Sequence, residues 1–210
     1  LAALGAAVTK INHDLRNMLA SAQLVSERLA ASDDPEIKKI VPPLVRSIDR
    51  AVDLCTQTLD YARQDSLPPR PDDFPLADLV DEVFATQPPG VADTAFDNRV
   101  PDHLLVHADR GQLYRVLTNL VRNAVQAGAG NVTVGARDNS PLRIEVADDG
   151  PGVPPEVRPR LFEAFSTSGR RGGSGLGLAI AREIVVAHHG EIRLENGSDG
   201  ARFVIELPRA

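Results

Sequence analysis

The sequence predicts an α+β protein in two parts, a helical hairpin followed by a two-layer α/β sandwich with helices on one face of a mixed sheet. Apolar residues first repeat at alternating spacings of four and three, as they do along a coiled-coil seam. A short run rich in proline and charge follows. Beyond that run, candidate strands are largely separated from candidate helices, which is typical of α+β domains.

Two amphipathic helices account for the first part of the chain. Their apolar seams run over residues 4–29 and 41–62, and capping and turn residues at 32–35 separate them. One hairpin of this kind cannot bury both seams, so we expect a homodimer in which two hairpins form a four-helix bundle. Pro42 and Pro43 are expected to kink the second helix or to delay its start.

The run Leu-Pro-Pro-Arg-Pro-Asp-Asp at residues 67–73 predicts a stiff, polar linker. We therefore expect one domain in residues 1–66 and a second in residues 74–210. In the second domain the patterns predict helices at residues 75–84, 109–127 and 175–188, strands at 104–107, 131–136, 142–147, 191–195 and 202–207, a short helical segment near 155–162 and a helix C-cap at Gly190.

Composition and charge narrow the possible functions. The chain has 210 residues, of which 42% are hydrophobic and 25% are charged, as in a folded globular protein. Its formal net charge of −6 gives no reason to expect a nucleic-acid or anionic-membrane surface. Cys55 is the only cysteine, so no disulfide framework is available and a reducing compartment fits.

The beginning of the chain suggests a piece of a longer protein. Leu1 already lies within a helical pattern and no Met precedes it, and no apolar run approaches the length of a membrane span. We therefore interpret the chain as a cytoplasmic fragment. A membrane anchor, in the bacterial inner membrane, could be present only in missing parts of the parent.

His13 is a candidate nucleophile. With Ile11 and Leu15 in the seam, His13 falls on the opposite, exposed side of the first helix. Asn17 is one turn further along the same side and Asp14 is the direct neighbour. A nucleophilic histidine needs a neutral ring nitrogen, open access and a carboxylate that orients the ring or accepts its proton. A solvated surface histidine is the ordinary alternative, and only the motifs downstream favour the nucleophile.

Two glycine-rich motifs indicate a possible ligand site. Asp148-Asp149-Gly150-Pro151-Gly152 follows a predicted strand, where Asp148 could accept a hydrogen bond from an exocyclic amine such as that of adenine. Residues 172–178, Gly-Gly-Ser-Gly-Leu-Gly-Leu, directly precede a predicted helix, where backbone N–H groups can cradle phosphate. The second motif lacks the features of a Walker A loop or a Rossmann fingerprint. The ordinary alternative for the first motif is a plain turn, and for the second it is a flexible loop with a helix cap.

Two asparagines form a candidate metal site. Asn119 and Asn123 are four residues apart on one face of a predicted helix, beside its apolar stripe. Amide oxygens suit a hard cation such as Mg²⁺, whose coordination is usually completed by water and substrate phosphates. In isolation, two solvent-facing asparagines would be the more ordinary interpretation.

The order of these motifs resembles the histidine kinases of two-component signalling, whose catalytic domain shares its fold with gyrase, Hsp90 and MutL-type ATPases. The resemblance covers nearly the whole chain, and Leu161-Phe162-Glu163-Ala164-Phe165 is similar to the phenylalanine box that precedes a mobile lid in that family. It implies that residues 1–66 form the dimerisation and histidine phosphoacceptor domain, and that residues 74–210 form a catalytic ATP-binding domain with the Bergerat (GHKL-like) fold.

The resemblance also implies a role for each candidate residue. His13 would be the phosphoacceptor, Asp14 its general base or orienting partner, and Asn17 the residue that positions water for dephosphorylating the response regulator. Asn123 would bind Mg²⁺, with Asn119 supporting it. The nucleotide pocket would be formed by Asp148, which would bind adenine, and by Gly150, Gly152, Gly173, Gly175 and Gly177.

The implied activity uses ATP and Mg²⁺ to phosphorylate His13 and then transfers the phosphoryl group to an aspartate on the receiver domain of a response regulator. Two departures from the family pattern affect the expected geometry around His13 and around the nucleotide lid. Met18 stands where the family commonly has proline, which makes the helix near His13 straighter. The predicted lid lacks the lysine often found there, and Arg170 or Arg171 could supply its charge.

Two other functions remain as alternatives. An ATPase of the gyrase or Hsp90 type, in which ATP drives dimer closure, would explain the nucleotide motifs but not the hairpin that carries His13. A histidine phosphotransfer protein with a degenerate kinase domain would explain the hairpin. The intact asparagine pair and both glycine motifs argue against it.

Overall fold

The chain divides into two units, Leu1–Leu67 and Pro68–Ala210. The structure is a computed structural model. In the first unit it describes residues 22, 25, 29, 34, 37, 38, 40–45, 47, 48 and 51, and in the second it describes residues 68–87, 94–164, 166, 175–195 and 200–209.

Almost all described residues of the first unit are helical, consistent with the predicted hairpin. The backbone N–H of Lys38 donates to the Asp34 carbonyl at 3.0 Å, and residues 37 and 38 are helical. The second helix therefore begins before Pro42, and the two prolines do not delay its start. Among the described residues of the whole chain, no helix is long and apolar enough to cross a bilayer.

In the part of the second unit that the structure describes, three α-helices and seven strands are present. The helices are α1 (Leu76–Ala85), α2 (Arg110–Ala127) and α3 (Gly177–Ala187), and a short 3₁₀ helix spans Arg158–Arg160. The strands are β1 (Asp72–Pro75), β2 (Ala95–Arg99), β3 (Leu105–Ala108), β4 (Asn131–Arg137), β5 (Leu142–Asp148), β6 (Glu191–Glu195) and β7 (Arg202–Leu207).

The main sheet has five strands in the order β2-β4-β5-β7-β6. The pair β2–β4 is parallel and the other pairs are antiparallel, which confirms the mixed sheet and the α+β class. A second, two-stranded sheet pairs β1 with β3. Strands β1 and β2 were not predicted, because both are short and polar and are stabilised by partners distant in sequence.

Residues 68–73, predicted as a linker, belong to the second unit. The N–H of Arg70 donates to Asp109 Oδ2 at 3.0 Å, and Asp72 and Asp73 pair with β3 in strand β1. The proline-rich composition could not show that this segment packs against its own domain, since that depends on residues more than thirty positions away.

Helix α2 packs its apolar face into the core as its periodicity predicts. Its buried side chains are Leu113, Val116, Leu117, Leu120, Val121 and Ala124. The carboxylate of Asp109 caps the helix by accepting from Gln112 N at 3.0 Å. Gly128 ends it with a φ of 87°, a conformation that favours glycine.

The opposite face of the sheet carries alternating charges. Arg193 bonds Glu206 at 2.8 Å and Glu195 at 3.1 Å, while Arg143 reaches Glu195 at 2.8 Å. Val204 lies on the same outward side of β7, opposite Glu145 and Arg193 on the neighbouring strands, and is fully buried. The hydrogen bond from Arg193 holds the pKa of Glu206 below its ordinary value.

Candidate functional site

Asp148 ends the central strand β5 and is held in place by backbone groups. Its Oδ1 accepts from Gly150 N at 2.9 Å and from Ala201 N at 3.3 Å, and its own N–H donates to the Ala201 carbonyl at 2.9 Å. Among the described residues no hydrogen-bond partner is recorded for Oδ2. The strand end therefore presents one oriented, half-buried carboxylate oxygen as an acceptor.

Three glycines allow two loops to lie against this carboxylate. Gly200 has a φ of 74°, and a Cβ atom there would overlap the Asp148 carbonyl oxygen. Gly152 has a φ of 70°, and its Cβ would lie 2.9 Å from the Gly200 carbonyl oxygen. A Cβ on Gly150 would lie 2.9 Å from Asp148 Oδ1. Glycine, which has no Cβ, fits these close approaches, and it allows the loop with Gly150 and Gly152 to pack against the end of β5.

Gly200 is a site residue that the sequence patterns did not reveal. It lies in the turn between β6 and β7, which was predicted as an ordinary hairpin loop. The available signal was a glycine near the end of the turn, two residues before β7, and hairpin turns commonly contain one. Its importance becomes visible only when the hairpin is placed beside the end of β5.

Asp149, next to the candidate adenine-binding residue, has a structural role. Its Oδ1 accepts from both Gly130 N and Asn131 N at 2.8 Å, which fixes the start of β4. Asp149 N in turn donates to the Asn131 carbonyl. The two adjacent carboxylates therefore differ in function, because one anchors backbone while the other retains an open acceptor.

Asn119 lies against the N-terminal end of α3. A Cβ atom on Gly177, the first residue of that helix, would lie 3.4 Å from Asn119 Oδ1 and 3.6 Å from its Cγ. Asn123 lies one turn further along the same side of α2. Both asparagines are half-buried, and within the described part of the chain neither side chain has a recorded hydrogen-bond partner. Their amide oxygens are thus available to a ligand.

The glycine motif before α3 is described from Gly175 onward. Gly175 has a φ of 71°, in the left-handed region that favours glycine. Leu176 is fully buried, which fixes the point where the loop enters the helix. The phenylalanine segment is anchored separately by Phe162, whose ring packs edge-on against Phe203 with centroids 6.4 Å apart.

The structure brings the described candidates together along α2. Asn119 contacts the first turn of α3, while Ala129, just beyond the end of α2, is 3.6 Å from the Cβ position of Gly150. Four predicted site residues, His13, Asp14, Asn17 and Gly173, lie outside the described residues. Within the described ranges, no group of three or more His, Cys, Asp or Glu side chains could hold a metal ion.

Comparison with known proteins matches both parts of the chain. Residues 3–67 match the family model of the His Kinase A (phospho-acceptor) domain, and residues 108–210 match that of the histidine kinase-, DNA gyrase B-, and HSP90-like ATPase. The crystallised catalytic domain of the histidine kinase ThkA is 32% identical, with a TM-score of 0.60, over 66% of this chain and 95% of that one. The chain belongs to the sensor histidine kinase family.

Two longer proteins resemble this histidine kinase chain over most of its length. The sensory histidine kinase/phosphatase NtrB of Rhodobacter capsulatus is 31% identical over 94% of the chain, which corresponds to 60% of that protein. Full-length ShkA in complex with AMPPNP is 28% identical with a TM-score of 0.72, over 96% of this chain and 45% of ShkA. The chain thus spans less than two thirds of the length of either protein.

Proposed function

We propose that the chain is the catalytic core of an ATP-dependent protein histidine kinase. It would phosphorylate its own His13 and transfer that phosphoryl group to an aspartate on the receiver domain of a response regulator. One observation carries the proposal: a phosphoacceptor-domain match that contains His13 and an ATPase-domain match that contains Asn123 and Asp148 occur in the same chain.

The pocket around Asp148 is proposed to bind the adenine of ATP. Its unoccupied acceptor, Oδ2, suits the exocyclic amine, and the bonds to Oδ1 prevent the carboxylate from rotating away. The phosphates would lie towards the loop that contains Gly173, Gly175 and Gly177, where backbone N–H groups and the N-terminus of α3 favour negative charge. The AMPPNP in the ShkA structure supports nucleotide binding by a chain of this fold.

Asn123 is proposed as the Mg²⁺ ligand, with Asn119 as its support. Their amide oxygens, which accept no hydrogen bond from the described residues, fit a hard cation whose coordination is completed by phosphate oxygens and water. Bound Mg²⁺ would neutralise charge on the phosphates. The contact between Asn119 and Gly177 orients that amide towards the first turn of α3.

His13 is proposed to attack the γ-phosphorus of ATP in line with the leaving ADP oxygen. A bond from the ring nitrogen to phosphorus forms as the bond between the γ-phosphorus and that oxygen breaks, and Asp14 orients the ring or accepts its proton. The phosphoryl group would then pass to a carboxylate oxygen of the receiver. Asn17 would position the water that hydrolyses the phosphate from the receiver, a second activity that the kinase/phosphatase designation of NtrB suggests.

The first unit is proposed to form the homodimer, with a boundary to the catalytic domain at Leu67. Val25 and Leu29, both on the predicted seam, have exposed fractions of 58% and 39% in a single chain. A second copy of the hairpin would cover them, as a four-helix bundle requires.

A phosphorylation assay with γ-labelled ATP tests the proposal. The wild-type chain should incorporate acid-labile phosphate, a His13→Gln variant should bind ATP but incorporate none, and the matched control His103→Gln should behave as wild type. Labelled protein offered to a panel of receiver domains should then lose its phosphate to a cognate one. Steady ATP hydrolysis without acid-labile phosphate would contradict the proposal and favour an ATPase of the gyrase type.

A further inference from the structure

His188 forms a hydrogen-bonded bridge between the two helices of the nucleotide site. It follows the last residue of α3, and its Nε2 is 3.0 Å from the backbone nitrogen of Asp109, which precedes α2. Its Nδ1 is 2.8 Å from the carbonyl oxygen of Ile184, in its own helix.

The two partners determine the protonation state of the ring. A backbone N–H can only donate, so Nε2 of His188 must accept from Asp109 and carries no proton. A carbonyl can only accept, so Nδ1 must carry the proton that is donated to Ile184. The bridge therefore requires the neutral ring with its proton on Nδ1.

The bridge lies at the opposite end of the helix pair from the nucleotide site. Gly177 contacts Asn119 at one end and His188 contacts Asp109 at the other, so the helices run antiparallel. The separation is about 15 Å along α2 and about 16 Å along α3. The two contacts thus occur at matching heights along the two helix axes.

Between these two contacts, the described residues of α3 form no further recorded side-chain hydrogen bond to α2, and the facing stripe of α3 is apolar. Gly177, Ala181, Ile184 and His188 follow one another at spacings of four, three and four, and therefore share one side of the helix. Ala181 and Ile184 are buried apolar side chains. Apolar contacts are non-directional, whereas a hydrogen bond requires a specific distance and angle between its two partners.

We propose that His188 is a positioning residue for the nucleotide site, because its bond to Asp109 fixes the axial register of α3 against α2. Register matters because α2 carries Asn119 and Asn123, while α3 carries the glycine loop at its N-terminus. A displacement of about 1 Å in such a site can reduce the rate on the order of 100-fold. The inference rests on the proposed nucleotide-binding function and extends it to a residue outside the pocket.

Asp109 is itself well fixed, which makes it a suitable anchor. Its carboxylate accepts from Gln112 N at one oxygen and from Arg70 N at the other, both at 3.0 Å. Partial burial acts to raise the pKa of the Asp109 carboxyl, but these backbone hydrogen bonds outweigh it and hold the pKa below its ordinary value. The carboxylate consequently remains charged at neutral pH and keeps the start of α2 in place.

Two substitutions remove one hydrogen bond of His188 at a time, either the bond to Asp109 at the start of the facing helix or the bond to Ile184 in its own helix. His188→Gln places an amide oxygen near the position of Nε2, so it can still accept from Asp109. His188→Asn places an amide nitrogen near Nδ1, so it can still donate to Ile184 but cannot reach Asp109. His103→Asn, at an exposed histidine in a turn, is the matched control.

The test is the affinity of the full chain for AMPPNP with Mg²⁺, measured by titration calorimetry, together with the urea midpoint of each variant. We expect His188→Asn to weaken binding by about 3- to 10-fold, the range for one lost hydrogen bond. His188→Gln and the control should stay within about 2-fold of wild type. Equal losses in both His188 variants, a larger loss in His188→Gln, or no loss in either would overturn the proposal.

Nitrogen NMR of the His188 ring provides a second measurement that needs no nucleotide and no variant. The proposal requires a protonated Nδ1 and an unprotonated Nε2 at neutral pH, and the reverse tautomer would overturn it. If the wild-type chain bound no AMPPNP while the ring showed the expected tautomer, the proposed nucleotide function would fail but the bridge would stand.

Discussion

Replacing Gly200 by alanine should disrupt the candidate adenine site by a backbone clash. The glycine has a φ of 74°, and an added Cβ would overlap the carbonyl oxygen of Asp148. The left-handed conformation alone costs an alanine about 1–2 kcal/mol. Relief of the clash requires the β6–β7 turn to move away, which breaks the two hydrogen bonds between Asp148 and Ala201. Each hydrogen bond contributes about 0.5–1.5 kcal/mol. Together with the backbone strain, their loss should lower the free energy of unfolding by about 2–5 kcal/mol.

Gly128→Ala is the matched control, because it separates backbone strain from the clash. Gly128 also has a positive φ, 87°, but no atom lies within 4 Å of its Cβ position. Strain alone should then lower the free energy of unfolding by about 1–2 kcal/mol. The difference between the two variants measures the clash and the lost hydrogen bonds.

Urea unfolding followed by far-ultraviolet circular dichroism suits a chain without tryptophan, and calorimetry with AMPPNP and Mg²⁺ reports the site. Gly200→Ala should unfold at the lower urea concentration of the two variants and should bind nucleotide at least about 10-fold more weakly than wild type, the effect of about 1.4 kcal/mol. Gly128→Ala should retain nucleotide affinity. Equal stabilities, or wild-type affinity in Gly200→Ala, would refute the role assigned to this turn.

Three further predictions concern stability. His189 adopts a φ of 60°, so His189→Gly should raise the free energy of unfolding by about 0.5–1 kcal/mol; an unchanged or lower urea midpoint would contradict this. Asp149→Ala should lower that free energy by about 1–3 kcal/mol by removing the acceptor for two backbone N–H groups. Asp149→Asn keeps an accepting oxygen and should lose less. Finally, the pKa values of Asp109 and Glu206 are lowered in the folded chain. The two ionised carboxylates therefore stabilise the folded state at pH values above their unfolded pKa, about 4. This stabilisation is lost as the pH falls through the pKa values of the folded chain. Urea midpoints should therefore drop steeply below about pH 4, and a midpoint that stays constant there would exclude this contribution.

Helix α3 shows how a correct local pattern can still misplace a cap. Gly190 was predicted to cap the helix, yet α3 ends at Ala187 and His189 adopts the left-handed conformation. Gly190 is required for another reason, since a Cβ there would overlap the Glu206 carbonyl oxygen and lie 3.1 Å from a Val185 methyl group. That constraint comes from the neighbouring strand β7, and the local sequence at the helix end carries no information about it.

Much of the catalytic fold was predictable because burial imposes periods of two and 3.6 on the sequence. The buried face of α2 and the strands β4 and β5 follow these periods. The bounds of α2 and of β4 to β7 agree with prediction to within one residue. The candidate site residues were named on a different basis. Each motif alone also fitted an ordinary turn, loop or solvated surface, and their order along the chain, through its resemblance to histidine kinases, suggested a role for each residue.

The sequence by itself thus determined the α+β class, the order of the motifs and a set of candidate site residues. Only the tertiary structure separated the roles of Asp148 and Asp149, revealed Gly200 beneath the strand end, and joined His188 to Asp109 across 79 positions. The physical reason is the same in each case. These features are contacts between backbone groups and side chains distant in the chain, and neither periodicity nor local composition encodes which distant groups will meet.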